Sequence, residues 1–166
     1  ILVGPKNDPA KIGTAKTTTE AFQKIAAAKA RFASRSDDSG THKAERRFWR
    51  TAGATPKEAS GKWYLETGLG MGATLNFAVQ ADAYALTDRA TWLTFKNKTT
   101  HMPLYQGDPA LFNQYGVVLV SQTHCPTIKA AESRIFVDWL LSPKGQNAIA
   151  TFQYENRPLF FPNATP

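Results

Sequence analysis

Short apolar runs alternate with segments of helical periodicity, and this alternation constrains the fold more than any other feature of the chain. Thr17 and Glu20 have the spacing of a capping box, and they open a helical segment with Phe22 and Ile25 on one face. Strand-like runs separate such segments at residues 1–3, 31–34, 63–65, 83–86, 103–105 and 115–121. Strands that alternate with helices build parallel or mixed sheets, so the sequence predicts an α/β fold.

The last third of the chain has the clearest helical pattern. Apolar residues recur there at helical spacing, namely Ile128, Ala131, Ile135, Phe136, Trp139 and Leu140. A second helix is predicted to start at Ser142, a good N-cap residue, with Pro143 in the first helical position. Residues 115–121, just before this region, are rich in β-branched side chains and are predicted to form a strand.

Composition indicates a soluble globular protein with an anionic partner. Hydrophobic residues make up 42% of the 166 residues and charged residues 20%, which is ordinary for a folded domain. The net charge of +7 favours an anion, whether nucleic acid, lipid or small oxyanion. Cys125 is the only cysteine and cannot form an internal disulfide, and the histidines show no metal-ligand spacing. We therefore expect no metal site.

Two segments place glycine and hydroxyl residues where a helix starts: SRSDDSGT at residues 34–41 and GLGMGAT at residues 68–74. A helix N-terminus presents unpaired N–H groups and the positive end of the helix dipole, which together favour an anion. Arg35 adds a guanidinium that donates charge-assisted hydrogen bonds. The same residue types are also ordinary helix caps, and the pattern alone favours that simpler interpretation.

Catalysis and nucleotide binding are not indicated. The three glycines Gly68, Gly70 and Gly72 lack the spacing of a dinucleotide fingerprint, and no Gly-Lys-Ser/Thr phosphate loop follows them. The chain has no Gly-x-Ser-x-Gly elbow, and no nucleophile can be matched with a base and an orienting group. We therefore predict a binding protein that is not an enzyme.

The motif SRSDDSGTH at residues 34–42 resembles the SRGDDSGTH signature of periplasmic tungstate-binding proteins of ABC transporters. The resemblance continues through residues 63–64, 68–75 and 83–91. Residues 136–152 are similar to a motif of extracellular solute-binding proteins in general. Ser36 stands where the family usually has glycine. If that glycine needs a positive φ, either Ser36 is strained or the loop differs.

The resemblance implies a fold like that of type 2 periplasmic binding proteins, with a mixed sheet flanked by helices. Residues 10–114 would form one complete lobe. Residues 1–9 would be a crossover strand from the other lobe, and residues 115–166 its return crossover and C-terminal helices. That other lobe would be partial, because N-terminal sequence is expected to be missing. The implied oxyanion ligands are Ser34, Arg35, Ser39, Gly70, Met71, Gly72 and Thr74.

The function implied is capture of tungstate or molybdate outside the cytoplasm, in the periplasm or tethered to the membrane, and delivery to an ABC permease. No cofactor, nucleic acid or membrane insertion is expected. The C-terminal helices should expose apolar surface that a second copy of the chain could cover in a homodimer. The alternative is a basic nucleic-acid-binding module: Lys43, Arg46, Arg47 and Arg50 cluster on one helix with Glu45 among them, and Phe48 and Trp49 could stack on bases.

Overall fold

Strands and helices alternate along the first two thirds of the chain, as the pattern predicts. A computed structural model describes residues 1–164 and divides them into two units, which meet between residues 112 and 113. In the first unit the strands are β1 (Leu2–Pro5), β2 (Phe32–Ser34), β3 (Tyr64–Glu66), β4 (Tyr84–Leu86) and β5 (His101–Tyr105). Its helices are α1 (Thr18–Ala28), α2 (Gly40–Thr51), α3 (Met71–Gln80) and α4 (Arg89–Thr94).

The five strands form one mixed sheet in the order β3-β2-β4-β1-β5. β2 runs parallel to both β3 and β4, whereas β1 runs antiparallel to β4 and β5. The carboxyl ends of β2, β3 and β4 therefore lie along one edge of the sheet. The prediction of an α/β fold with a mixed sheet flanked by helices is confirmed.

The sheet separates two apolar clusters, because successive side chains of a strand point to opposite faces. Phe32 packs with residues of α1 and α2 on one face, and its neighbour Ala33 packs with residues of α3 on the other. The first cluster is strongly aromatic. The ring centroid of Trp49 lies 4.5 Å from that of Phe22 and 5.1 Å from that of Phe32. This core holds the parallel strands and the helices that follow them in place.

The second unit contains α5 (Ala130–Leu141), α6 (Pro143–Thr151) and a small hairpin of β6 (Gln153–Tyr154) and β7 (Arg157–Pro158). Ser142 caps α6 as predicted, because its Oγ accepts a hydrogen bond from the amide of Gly145 at 3.2 Å. No residue of α5 is buried, and Ile135 and Phe136 are 69% and 57% exposed. The predicted exposed apolar surface is confirmed for α5, while a homodimer through the C-terminal helices stays a prediction.

The predicted strand at residues 115–121 is wrong. This segment has no regular secondary structure, and no strand within residues 1–164 pairs with it. Val118 is 87% exposed and Val120 is 57% exposed. β-branched residues favour strands only where a neighbouring strand satisfies the backbone, and this segment lacks one.

The β6–β7 hairpin was not predicted, and some element boundaries also differ. β5 begins at His101, two residues before the predicted strand at residues 103–105, and β3 covers residues 64–66 where residues 63–65 were predicted. None of the helices in the described part of the chain combines the length and the apolar character that a membrane span needs.

Candidate anion-binding site

The edge formed by the carboxyl ends of β2, β3 and β4 is where the predicted site residues lie. In the register of the sheet, Ser34 at the end of β2 lies beside Glu66 at the end of β3. The chain then runs through residues 35–39 into α2 and through residues 67–70 into α3. Two helix N-termini thus begin at the same edge, an arrangement that favours anion binding in open α/β sheets.

Arg35 forms an ion pair with Asp37 within the β2–α2 loop. Its Nε donates to Oδ2 of Asp37 at 3.0 Å, and its Nη2 donates to the same oxygen. A guanidinium has five N–H groups, so three remain for another acceptor. The Arg35 side chain is 18% exposed, and Asp37 fixes its direction.

Asp37 also accepts hydrogen bonds from the start of α2. Its Oδ1 accepts from the amide of Ser39 at 3.2 Å, and the Oγ of Ser39 in turn accepts from the amide of His42 at 3.3 Å. Partial burial acts to raise the pKa of Asp37, but the hydrogen bonds from Ser39 and the charge of Arg35 lower it to about 2. Asp37 is therefore ionised at neutral pH and binds donors that an external anion would also use.

The loop before α2 contains two residues in the left-handed region. Ser36 has φ of 48° and Asp38 has φ of 57°. The family signature has glycine at position 36, so the expectation of a strained Ser36 is confirmed. Its Oγ donates to Glu66 Oε1 at 3.0 Å, and this bond ties the loop to the end of β3.

Thr67, which was not among the predicted site residues, joins the two loops. Its amide and its Oγ1 both donate to the carbonyl of Ser34, at 2.9 and 3.0 Å. The same hydroxyl lies 3.0 Å from Oγ1 of Thr74 in the first turn of α3 and accepts from the amide of Leu69 at 3.2 Å. The position of Thr67 two residues after the predicted strand at residues 63–65 and directly before Gly68 is the one signal that could have identified it.

Ser34 and Thr74 turn their hydroxyls inward. Ser34 is fully buried and donates to Oε2 of Glu45 at 2.8 Å, so its one proton is used inside the protein. Thr74 is also fully buried, and its Oγ1 donates to the carbonyl of Leu69 at 3.2 Å. Both residues hold the two loops against the sheet.

The first turn of α3 presents its backbone to the outside. Gly70 is the N-cap residue, and no side chain caps this helix. Gly70 and Gly72 are exposed, with open space where a Cβ would stand, whereas the Met71 side chain is buried in the core. The amides of residues 71–73 have no acceptor within the helix, as in any first helical turn. They can donate to an anion at this point.

The guanidinium of Arg35 contacts Asp37 rather than the 70–72 turn, so the link between the two loops runs through Thr67. A cavity of about 550 Å³ lies elsewhere in the first unit and is lined by Ala15, Lys16, Thr17, Tyr105, Gln106, Gly107, Asp108 and Pro109. None of the predicted site residues lines it. The site is an open edge with donors on two loops.

The outer face of α2 carries the basic residues, and the inner face carries the aromatic ones. Lys43, Arg46, Arg47 and Arg50 are exposed. Phe48 and Trp49 are 6% and 2% exposed and pack in the core, so they cannot stack on bases. Glu45, which the sequence suggested lay among the basic residues, is 2% exposed and points inward. The aromatic part of the nucleic-acid hypothesis is therefore wrong.

Residues 1–144 match the PBP superfamily domain. The chain is 40% identical over 168 residues to the tungstate-binding protein TupA of Peptoclostridium acidaminophilum, covering 99% of this chain and 58% of that protein. The structure of TupA from Desulfovibrio alaskensis G20 matches with a TM-score of 0.80 and 38% identity, covering 99% of this chain and 67% of that one. The tungstate ABC transporter structure from Geobacter sulfurreducens gives a TM-score of 0.79 and 41% identity, covering 92% of this chain and 63% of that one.

The chain spans 48% to 60% of the length of the curated relatives it matches. The predicted resemblance to tungstate-binding proteins of ABC transporters is confirmed, because the similarity covers nearly the whole chain. The mixed sheet with helices on both faces and the match over residues 1–144 show that the chain belongs to the PBP superfamily.

Proposed function

We propose that the chain binds a tetrahedral oxyanion, tungstate or molybdate, as part of the solute-binding component of an ABC importer. The observation that carries this proposal is the meeting of two helix N-termini, α2 and α3, at one edge of the sheet beside Arg35. Relatives named as tungstate-binding proteins support the choice of ion. Nothing in the arrangement assembles a nucleophile with a base, which favours binding over catalysis.

The proposed contacts come from donors, because a fully deprotonated dianion offers only acceptors. Arg35 supplies the N–H groups that Asp37 leaves free, and the Ser39 hydroxyl, which hydrogen-bonds to Asp37 without the ion, would turn its proton to the ion. The backbone of Gly70, Met71 and Gly72 supplies amides at the positive end of the α3 dipole. The inward hydroxyls of Ser34 and Thr74 hold these donors in place.

The proposal for the whole protein rests on the relatives. Residues 10–114 would belong to one lobe, and residues 1–9 and 115–166 to the other, with the ion held between the lobes. Contacts from both lobes would favour a closed form that docks on the permease. Binding proteins of this kind act outside the cytoplasm, so we propose an extracytoplasmic location.

The experiment is calorimetric titration of the chain with sodium tungstate, sodium molybdate and sodium sulfate, alongside amide chemical shifts recorded by NMR. Tungstate and molybdate should release or absorb heat and should shift the amides of residues 35–40 and 67–73. The NMR measurement detects weak binding that gives little heat. If neither tungstate nor molybdate gives heat or chemical-shift changes, the proposed function is contradicted.

Replacement of Arg35 by alanine should weaken tungstate binding by about 2–3 kcal/mol, roughly 30- to 150-fold, because a charge-assisted contact is lost. Arg50→Ala is the matched control. It removes the same charge from the exposed last turn of α2, far along the helix from the proposed site. Equal affinities of the Arg35→Ala variant and the unmodified chain would show that Arg35 serves only the loop.

A further inference from the structure

The buried carboxylate of Glu45 connects three elements beneath the proposed anion site. Its Oε2 accepts from Ser34 Oγ at 2.8 Å, and its Oε1 accepts from the Tyr64 hydroxyl at 2.7 Å and from Trp49 Nε1 at 3.0 Å. Ser34 ends β2 and directly precedes Arg35, and Tyr64 opens β3. One carboxylate on the inner face of α2 therefore fixes both strands that lead into the site.

These partners can serve both protonation states of Glu45. The ionised carboxylate accepts three hydrogen bonds, one from each partner. A protonated Glu45 must donate instead, and the hydroxyl oxygens of Ser34 and Tyr64 can each accept. The indole N–H of Trp49 donates to Oε1 in either state. A change of protonation therefore only turns hydroxyl protons, and the chain itself does not have to move.

No cation lies among the groups that contact this carboxylate within residues 1–164. β2 contributes Ser34 and β3 contributes Tyr64, with the negative charge of Glu66 further along the same strand. Burial raises the pKa of the Glu45 carboxyl to about 7, although its three hydrogen bonds favour the ionised form. On the same face of α2, burial lowers the pKa of His42, whose Nδ1 accepts from the amide of Asp38. Glu45 is therefore the group of this cluster that is ready to change charge near neutral pH.

We propose that Glu45 is a positioning residue of the anion site and that it takes up a proton when a divalent oxyanion binds beside Arg35. The inference rests on the proposed function of that site. A dianion at the edge of the sheet would repel the ionised carboxylate of Glu45, which hydrogen-bonds to the residue next to Arg35, and protonation removes the repulsion. Binding that takes up a proton must strengthen as pH falls, by at most about tenfold per pH unit for one proton.

The test is calorimetric titration of the chain with sodium tungstate near pH 7, in two buffers that differ in ionisation enthalpy. The observed heat should differ between the buffers by the amount that uptake of a fraction of one proton requires. The affinity should weaken from about pH 7 to about pH 8.5, approaching tenfold per unit at the upper end. Tungstate itself remains the dianion over this range, so the change belongs to the protein.

Glu45→Gln keeps the size of the side chain and removes the titration. It should abolish both the buffer dependence of the heat and the pH dependence of the affinity. Glu58→Gln, which changes an exposed acid of the same unit, is the control and should leave both unchanged. Proton uptake that persists in Glu45→Gln, or a buffer-independent heat for the unmodified chain, would overturn the role of Glu45 and leave the anion site intact.

Tyr64→Phe provides a second variant in case Glu45→Gln does not fold. It removes a hydrogen bond that favours the ionised carboxylate, so the pH dependence of tungstate affinity should move to higher pH. An unmoved pH profile would count against the proposal. Failure of the unmodified chain to bind tungstate under every condition would instead overturn the proposed function, so the two failures are distinguishable.

Discussion

The two units contain helices of similar length but differ in what those helices pack against. α1 has 11 residues and buries Thr18, Ala21, Phe22 and Ile25 against the sheet. α5 has 12 residues and buries none. Both helices follow from local apolar periodicity, and α1 is also capped by Thr17, whereas no side chain caps α5. The contrast shows that a helix can be encoded locally, whereas a core requires facing elements.

The largest expected effect is that of Trp49→Ala in the first unit compared with Trp139→Ala in the second. Trp49 is 2% exposed and contacts Phe22 and Phe32, so its loss should cost about 3–5 kcal/mol in the free energy of unfolding. Trp139 is 41% exposed, and its loss should cost less than about 1 kcal/mol. Urea denaturation followed by circular dichroism measures both. Similar losses would show that α5 has a packing partner in solution.

An effect of intermediate size concerns the buried Glu45. Its pKa is raised from 4.5 to about 7 in the folded state, so the fold binds more protons than the unfolded chain between these values. The contribution of Glu45 to the free energy of unfolding should therefore fall by up to about 3 kcal/mol as pH rises from about 4.5 to about 7. Glu45→Gln should remove this loss, as urea denaturation over the pH range would show.

Asp37 and Asp108 act in the opposite direction, because hydrogen bonds lower the pKa of each to about 2. For Asp108 the largest contribution is the amide of Ala110, followed by Thr18. Stability from these two groups should be lost only as pH falls from about 4 toward about 2. A loss of stability confined to that acidic range, with none between about 4.5 and about 7, would contradict the prediction for Glu45.

The smallest effects concern the helix caps, where the two units should behave differently. Oγ1 of Thr17 accepts from the amide of Glu20 at 3.1 Å, and Thr17→Ala should lower the free energy of unfolding of the first unit by about 1 kcal/mol. Ser142→Ala removes the corresponding bond of α6. It should speed amide hydrogen exchange of residues 144–151 without changing the urea transition of the first unit. A changed transition would show that the units unfold together.

Much of the fold could be predicted because its signals are local. The capping pair Thr17 and Glu20, the Ser142-Pro143 start and the apolar periodicity of α5 each depend on neighbours within one or two turns. The conformation of residues 115–121 could not be predicted correctly, because β-branched side chains favour a strand without specifying another strand to pair with it. The hairpin of β6 and β7 was missed for a related reason: Glu155 and Asn156 both have positive φ, and glutamate gives no such signal.

For the candidate site, the sequence by itself identified the two loops, since hydroxyl and glycine residues before a helix are visible in the chain. The direction of each side chain came only from tertiary structure. Glu45 reaches Ser34 because the inner face of α2 packs on the sheet, and Thr67 reaches Ser34 through the parallel pairing of β2 with β3. Both contacts depend on how separate elements pack and pair in the folded chain. No local pattern could therefore have shown that Ser34 turns to Glu45 or that Thr67 joins the loops.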